Sequence, residues 1–340
     1  MMSPLDPQKQ ILAASEHSEK TFEFSTQDPR VPAQWWFQTS SDGLVLFVVF
    51  YTLACRWNRC VGCNLPSKSS LNPVSYADLI AQIDHLFALP EVSGRLGEVE
   101  KVILSNNGSI FDEVTFPSTA LMHFMVRLNL DLPKLGVLTL ETRPEYVEWE
   151  EMEFLSRILK ERQSPAELEL AVGFEAFDET IRNKMFNKGL PLEGFEKMLA
   201  MVGRHGYSLK CYFMLKPVAG LSDDDAVTDI HQAIDYLDRM AEEHGVTLNM
   251  HLNPTYVAHG TPLAESFARG EYTPPYLKDL ARAALHAQGT KVSVYLGLYD
   301  EGLAVDGGSF IRPGDDSLVE SLKAFNSNQD FGILKACLQE

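Results

Sequence analysis

A chain of 340 residues that is 45% hydrophobic and 22% charged has the composition of a folded globular protein, long enough for one large α/β domain or two smaller ones. Its 47 acidic against 29 basic side chains leave a net charge of −18, which argues against unaided binding to a large polyanion such as RNA. The opening stretch MMSPLDPQKQILAASEHSEK has no basic region followed by an apolar one, so no secretory signal is expected. The longest apolar run, Leu44–Ala54, is too short to cross a bilayer. A cytoplasmic protein without a membrane anchor is expected, and there clustered thiols point to a metal rather than to disulfides.

Residues 1–40 read as an N-terminal extension in which Trp35, Trp36 and Phe37 are packing anchors. Strands then alternate with amphipathic helices over 41–290. Strands are expected at Leu44–Leu53, Val99–Ser105, Gly136–Glu141, Glu167–Phe174, Leu209–Leu215 and Thr247–Asn253. Helices are expected at Tyr76–Ala88, Glu148–Lys160, Asp178–Lys184, Leu192–Gly203, Asp223–Glu243 and Tyr276–His286. Several of the strands are apolar throughout, as in a parallel sheet covered by helices. Residues 291–340 form a C-terminal extension: a last strand at Lys291–Leu298, the turn-rich stretch DGGSFIRPGDD and one terminal helix. Successive β–α units with right-handed crossovers predict an α/β fold, a partial (β/α)6 TIM-like barrel with extensions at both ends. A doubly wound open sheet is the alternative, although no G-x-G-x-x-G follows any strand.

The first barrel strand runs into CRWNRCVGC, which places Cys55, Cys60 and Cys63 in a C-x4-C-x2-C array. A loop with this spacing can wrap one compact metal centre. Structural zinc takes four ligands, and no second C-x2-C knuckle exists; Cys211 lies mid-strand and Cys337 near the C-terminus. Three thiols without a fourth suggest an iron–sulfur cluster with one open iron. The loop sits at the C-terminal mouth, where barrel enzymes keep their active sites. A zinc site, a plain electron-transfer cluster and unligated thiols are the other readings of the same residues.

Spacing and placement resemble the radical S-adenosylmethionine superfamily. The resemblance implies that Cys55, Cys60 and Cys63 ligate a [4Fe-4S] cluster whose fourth iron chelates S-adenosylmethionine (SAM). One electron, from a donor such as flavodoxin or ferredoxin, then releases a 5′-deoxyadenosyl radical. The chain departs from the usual pattern in its four-residue first gap and in Gly62, where an aromatic residue often stands.

Other strand ends supply polar groups for the same mouth. In SNNGSIFDE, Asn106, Asn107 and Gly108 occupy the place of the superfamily's turn for the methionine amine. In LTLETRPEYV, Glu141 is a candidate acceptor for the cofactor amine or ribose, and Arg143 a candidate donor that holds a carboxylate. Glu175 suits a ribose hydroxyl, with Asp178 as a helix N-cap and Lys188–Gly189 as a helix stop. Lys216, before Pro217, is a candidate for cofactor carboxylate or substrate contact, and Asn253, Thr255 and Tyr256 for adenine or substrate. The bland reading of each is an ordinary turn or a salt bridge. Short basic stretches, RWNR at 56–59 and LPKLG at 132–136, are candidate local basic patches, and His205 and His231 have no ligand spacing.

Taken together, CVGC, NNGSIFDE, LETRPEYV, VGFEAFDETIRNKMFNKG, YFMLKPVAGLSDDDAV and LNPTYVAHGTPLAESFARGEYTPPYL resemble the radical SAM subunit of archaeosine synthase and its relatives, near the Elongator catalytic subunit. The archaeosine enzyme cleaves a C–N bond in a lysine-adducted deazaguanine base of tRNA; its relatives are uncharacterised. The acidic chain, with GGSFIRPGDDS where a cysteine-bearing stretch is expected of the tRNA-acting members, suits a small-molecule substrate better than tRNA. Base modification in tRNA is the alternative, and a non-catalytic, metal-stabilised binding protein is a third reading.

Overall fold

The apolar run after Asp42 is a strand only as far as Val49 in the computed structural model, which describes residues 6–339. The first five positions of the N-terminal extension and the last of the C-terminal one lie outside the described residues. Beyond Val49 the backbone finds other partners. Tyr51 exchanges hydrogen bonds with the Gln82 amide (2.9 and 2.8 Å), Ala54 N–H donates to Ser70 O, and Ser70 N–H donates to Thr52 O. Every polar group of a buried segment needs such a partner, and here they draw the chain out of the ladder toward the cysteines.

The elements up to the middle strand are α1 (Pro7–His17), β1 (Gln34–Ser40), β2 (Gly43–Val49), α2 (Tyr76–Ala88), α3 (Pro90–Ser93), β3 (Lys101–Ser105), α4 (Ser118–Asp131), β4 (Val137–Thr142), α5 (Trp149–Lys160) and β5 (Glu167–Glu175). They continue with α6 (Leu192–His205), β6 (Ser208–Leu215), α7 (Asp223–His244), β7 (Leu248–Pro254), α8 (Pro262–Ala268), α9 (Leu277–Leu285), β8 (Ser293–Leu296), α10 (Asp316–Asn328) and α11 (Phe331–Cys337). Strands follow one another in the sheet in the order β1 to β8. A doubly wound sheet would reverse its order at a switch point. The monotonic series is that of a partial TIM-like barrel, and the fold class read from the sequence holds. β1 and β8 come from the two extensions; β1, α1 and α4 were not among the expected elements, and two terminal helices stand where one was expected.

Two compact units make up the chain. In the first (1–16, 22–58 and 65–171), β1 pairs antiparallel with β2, and β2–β3–β4 are parallel. Val45, Phe47, Val49 and Ile103 form one core face, and Trp36 stacks on Phe47 at 4.2 Å, so the tryptophan does anchor the extension. Phe50, Phe87 and Phe124 meet edge-to-face beneath α2 and α4. A polar knot sits at the start of β3, with Lys101, Thr139 and Glu169 buried and Asp42 exposed. Lys101 Nζ reaches Asp42 (2.7 Å) and Glu169 (3.0 Å), and Thr139 donates to Glu169. Burial alone would lower the Lys101 pKa, but the two carboxylates outweigh it and hold the pKa above its usual value.

The second unit (17–21, 59–64 and 172–340) has parallel β6–β7–β8. Ser222 caps α7 through Asp225 N–H (3.1 Å), and Gly245 ends it at φ 64°. Phe174, Phe195, Phe213 and Tyr236 pack as an aromatic core between strands and helices. On the other strand face, His251 lies between Tyr212 (4.8 Å) and Tyr295 (4.7 Å). No helix among the described residues is long and apolar enough to cross a membrane.

Candidate active site

Cys55 follows the extended run in the first unit, and its loop is pinned on two sides. Arg56 forks onto Asp112 with two contacts of 2.6 Å, and the Tyr146 ring lies 5.4 Å from the guanidinium. Asp112 is buried, and its hydrogen bond and charge push the Arg56 pKa up against the cost of burial. A bidentate pair of this kind fixes direction as well as charge. On the other side, Asn58 at φ 38° donates to Ile11 O (3.1 Å) and Ser15 Oγ (2.6 Å) of α1. The RWNR stretch is therefore no free basic patch at Arg56, which is tied inside the fold.

The turn after β3 lies against this first cysteine. An ideal Cβ on Gly108 would sit 3.4 Å from Cys55 Cα and 3.6 Å from Cys55 Cβ, ordinary contact distances that place the turn directly beside the cysteine. Asn106 is buried and builds the turn from within, accepting from Gly108 N–H (3.1 Å) and donating to Ser109 O and Thr115 Oγ1. Asn107 stands at φ 58°, and its buried Nδ2 has no hydrogen-bond partner among the described residues. Glu141 ends β4 half-buried, its carbonyl accepting from Ile110 N–H. Arg143 pairs with Glu145 at 2.5 Å and stacks over Trp57 at 4.7 Å.

Cys60 and Cys63 belong to the second unit and share one tight turn, closed by Cys63 N–H donating to Cys60 O at 3.1 Å. Lys20, only 4% exposed, donates to both cysteine carbonyls, at 3.1 and 3.3 Å. Val61 N–H donates to Phe186 O (2.8 Å), and the Phe186 ring occupies the space beside Gly62. Asn64 is buried and bonded to Leu303 O, and Tyr256 O–H reaches its Oδ1 at 3.5 Å. Burial, with acidic groups at 300 and 301 nearby, drives the Tyr256 hydroxyl pKa well above its ordinary value, so it stays a donor.

Phe186 follows a π-helical turn (Thr180–Met185), a form that often marks functional sites. Arg182 fixes that turn: fully buried over the Phe174 ring, it donates to the carbonyls of Ala176, Phe177 and Leu190. Asp178 caps the turn through Ile181 N–H, and Gly189 follows at φ 67°. Glu175, at φ 73°, is paired with Lys188 at 2.7 Å. Lys216, at φ 62°, is paired with Asp223 at 2.7 Å, while Tyr272 O–H donates to its carbonyl. Asn253 is half-buried on β7.

All five cysteines are free of disulfides, with Cys211 and Cys337 buried away in β6 and α11. Among the described residues no three His, Cys, Asp or Glu side chains stand ready-gathered around a metal. The donor set fits an iron–sulfur centre: three half-exposed thiols in one loop, no fourth, and glycines on both flanks. Lys20, Asn64, Asp112 and Phe186 escaped the sequence reading. Asp112 and Phe186 lay inside stretches already singled out, SNNGSIFDE and VGFEAFDETIRNKMFNKG, but neither residue was picked from them.

No family model matches the chain. Archaeosine synthase subunit beta of Methanosarcina acetivorans is 29% identical over 235 residues, 68% of this chain and 63% of the relative, so the match spans less than two thirds of that protein. The subunit of the same name from Thermococcus kodakarensis is 25% identical over 240 residues, 69% of each chain. Among solved structures, Elp3 of Methanocaldococcus infernus aligns with a TM-score of 0.45 at 17% identity, over 64% of this chain and 51% of that one. By its motifs, and by these relatives across about two thirds of its length, the chain resembles the radical S-adenosylmethionine enzymes of the archaeosine synthase group.

Proposed function

We propose that the chain is a cytoplasmic radical SAM enzyme that binds one [4Fe-4S] cluster through Cys55, Cys60 and Cys63 and abstracts hydrogen from a small-molecule substrate. The observation that carries the reading is a cysteine loop fixed from its surroundings, with three cysteines that form no disulfide and no fourth cysteine in the loop. The chemistry such a centre supplies is one-electron cleavage of SAM, with flavodoxin or ferredoxin as donor. In the first unit, Asn107 offers an unpartnered donor to the cofactor, Gly108 keeps the turn close to Cys55, and Glu141 and Arg143 offer a carboxylate and a guanidinium. In the second, Glu175, Lys216, Asn253 and Tyr256 are the groups for ribose, carboxylate and adenine. Tyr256 remains protonated near neutral pH and so can donate to a ligand.

Protein purified without oxygen tests this directly: iron and sulfide are measured, then SAM and dithionite are added. About four irons per chain and formation of 5′-deoxyadenosine support the reading. Stoichiometric zinc with SAM left intact would make the loop a structural clip and the protein a non-catalytic binder. A second reading, modification of a tRNA base, is favoured by the names of the relatives. The charge of −18 weighs against it unless a basic partner carries the RNA. Salt-sensitive retention of tRNA would select it.

A further inference from the structure

We infer that Lys20 is a positioning residue that also sets the charge, and hence the reduction potential, of the centre held by Cys60 and Cys63; the inference rests on the iron–sulfur reading. Lys20 lies forty residues before the first of these cysteines in an extension to which the motifs assign nothing. It is nonetheless almost wholly buried, with its ammonium on the carbonyls of both cysteines at 3.1 and 3.3 Å. Its segment is held in place independently, since Thr21 N–H donates to Gly260 O at 2.9 Å. The turn at 60–63 is thus built around a cation.

A neutral donor would serve to tie two carbonyls, and burying a charge is the more costly solution. Alongside its other contacts, this charge acts on the turn it supports if that turn becomes negative. Two thiolates bound to iron do become so, and more so when the cluster accepts an electron. Net charge and hydrogen bonding around the ligands are among the protein's means of setting cluster potential, and groups behind the ligands commonly fix their orientation. A cation at this distance favours the reduced state, the one that must deliver an electron to SAM. Removing it moves the potential down.

The test compares wild type with Lys20→Arg, Lys20→Gln and Lys20→Met, all loaded with iron and sulfide under anaerobic conditions. Far-UV circular dichroism, iron per chain and a dithionite titration followed by electron paramagnetic resonance are read for each. Lys20→Arg is expected to match wild type in iron and potential. Lys20→Gln, which still donates hydrogen bonds, keeps its iron but favours the reduced state at least tenfold less, a fall of about 59 mV for a one-electron couple. Lys20→Met loses the hydrogen bonds as well and retains less than half the iron. Should it fail to fold, the Gln and Arg pair alone decides the matter. Unchanged potential in Lys20→Gln overturns this inference and leaves the cluster assignment standing, whereas wild-type protein that takes up no iron overturns both.

Discussion

Gly62 stands where the superfamily that the chain resembles often has an aromatic residue, and the structure gives a steric reason for the glycine that can be measured. A Cβ at residue 62 would lie 2.9 Å from Phe186 Cε2. Phe186 is 2% exposed, so its ring has little room to retreat. Overpacking a buried contact typically costs about 1–3 kcal/mol, which is the destabilisation expected for Gly62→Ala. Phe186→Leu removes ring atoms and leaves a small cavity, at a cost of about 1–2 kcal/mol. The two changes answer each other, because the alanine methyl enters the space that the ring vacates. The double variant should therefore be less destabilised than the sum of the singles by about 1 kcal/mol or more, a coupling usual for residues in contact. Urea unfolding followed by circular dichroism gives the cycle. Iron content after reconstitution gives a second reading, lowest in Gly62→Ala and recovered in the double variant, because Val61–Phe186 also holds the cysteine turn. Strict additivity with unchanged iron in all three variants would refute the idea that Phe186 has taken the place of a larger residue at 62.

Cys60→Ala is expected to abolish cluster and SAM cleavage together while the circular dichroism spectrum stays that of wild type; retained cleavage would remove the cysteines from the mechanism. Asn107→Gly removes a buried nitrogen without a partner and a positive φ that glycine adopts freely, so thermal stability should hold or rise by about 0.5–1 kcal/mol. SAM affinity, measured by calorimetry on the loaded protein, should fall about tenfold or more, as when a buried hydrogen bond to a charged group is lost. Burial, and then the neighbouring His286, hold the His231 pKa below its usual 6.5. The unfolded chain then binds the extra proton, so stability is fully present above pH 6.5 and falls as pH drops through the depressed native value. His231→Gln should flatten that fall in urea midpoints taken between about pH 7 and 5.

The strand and helix series was legible because several of its strands are apolar throughout and its helices carry the 3.6-residue period, as in α5 and α9. β1 was not, since QWWFQTS is half-buried along nearly its whole length and shows no clean alternation. The end of β2 was placed too late for a related reason: the run stays largely apolar to Ala54, but from Tyr51 on its backbone is bonded to Gln82 and Ser70. At the site, the cysteines and strand-end residues announced themselves by type and spacing. Lys20 did not, because nothing in a lone lysine forty residues upstream signals which carbonyls it will meet. Phe186 was hidden similarly, as one apolar residue within a stretch read as helix.

Backbone geometry separates the strand-end candidates further than residue type can. Asn107, Glu175 and Lys216 all hold positive φ, at 58°, 73° and 62°. A non-glycine residue in that region costs of order 1 kcal/mol or more, and glycine would make each turn at lower energy. Each side chain must therefore contribute something that glycine would not. For Glu175 and Lys216 the fold itself supplies an answer, in partly buried ion pairs with Lys188 and Asp223 that tie each strand end to the segment after it. Those two positions are explained without any ligand. Asn107 has no such account: its side-chain nitrogen is buried with no partner, in a turn drawn tight against Cys55. Buried polar atoms are nearly always satisfied, so an orphan donor beside a cysteine expected to hold metal implies an acceptor that arrives with the ligand. The case for a cofactor in the first unit thus concentrates on Asn107, ahead of the charged residues that first drew attention.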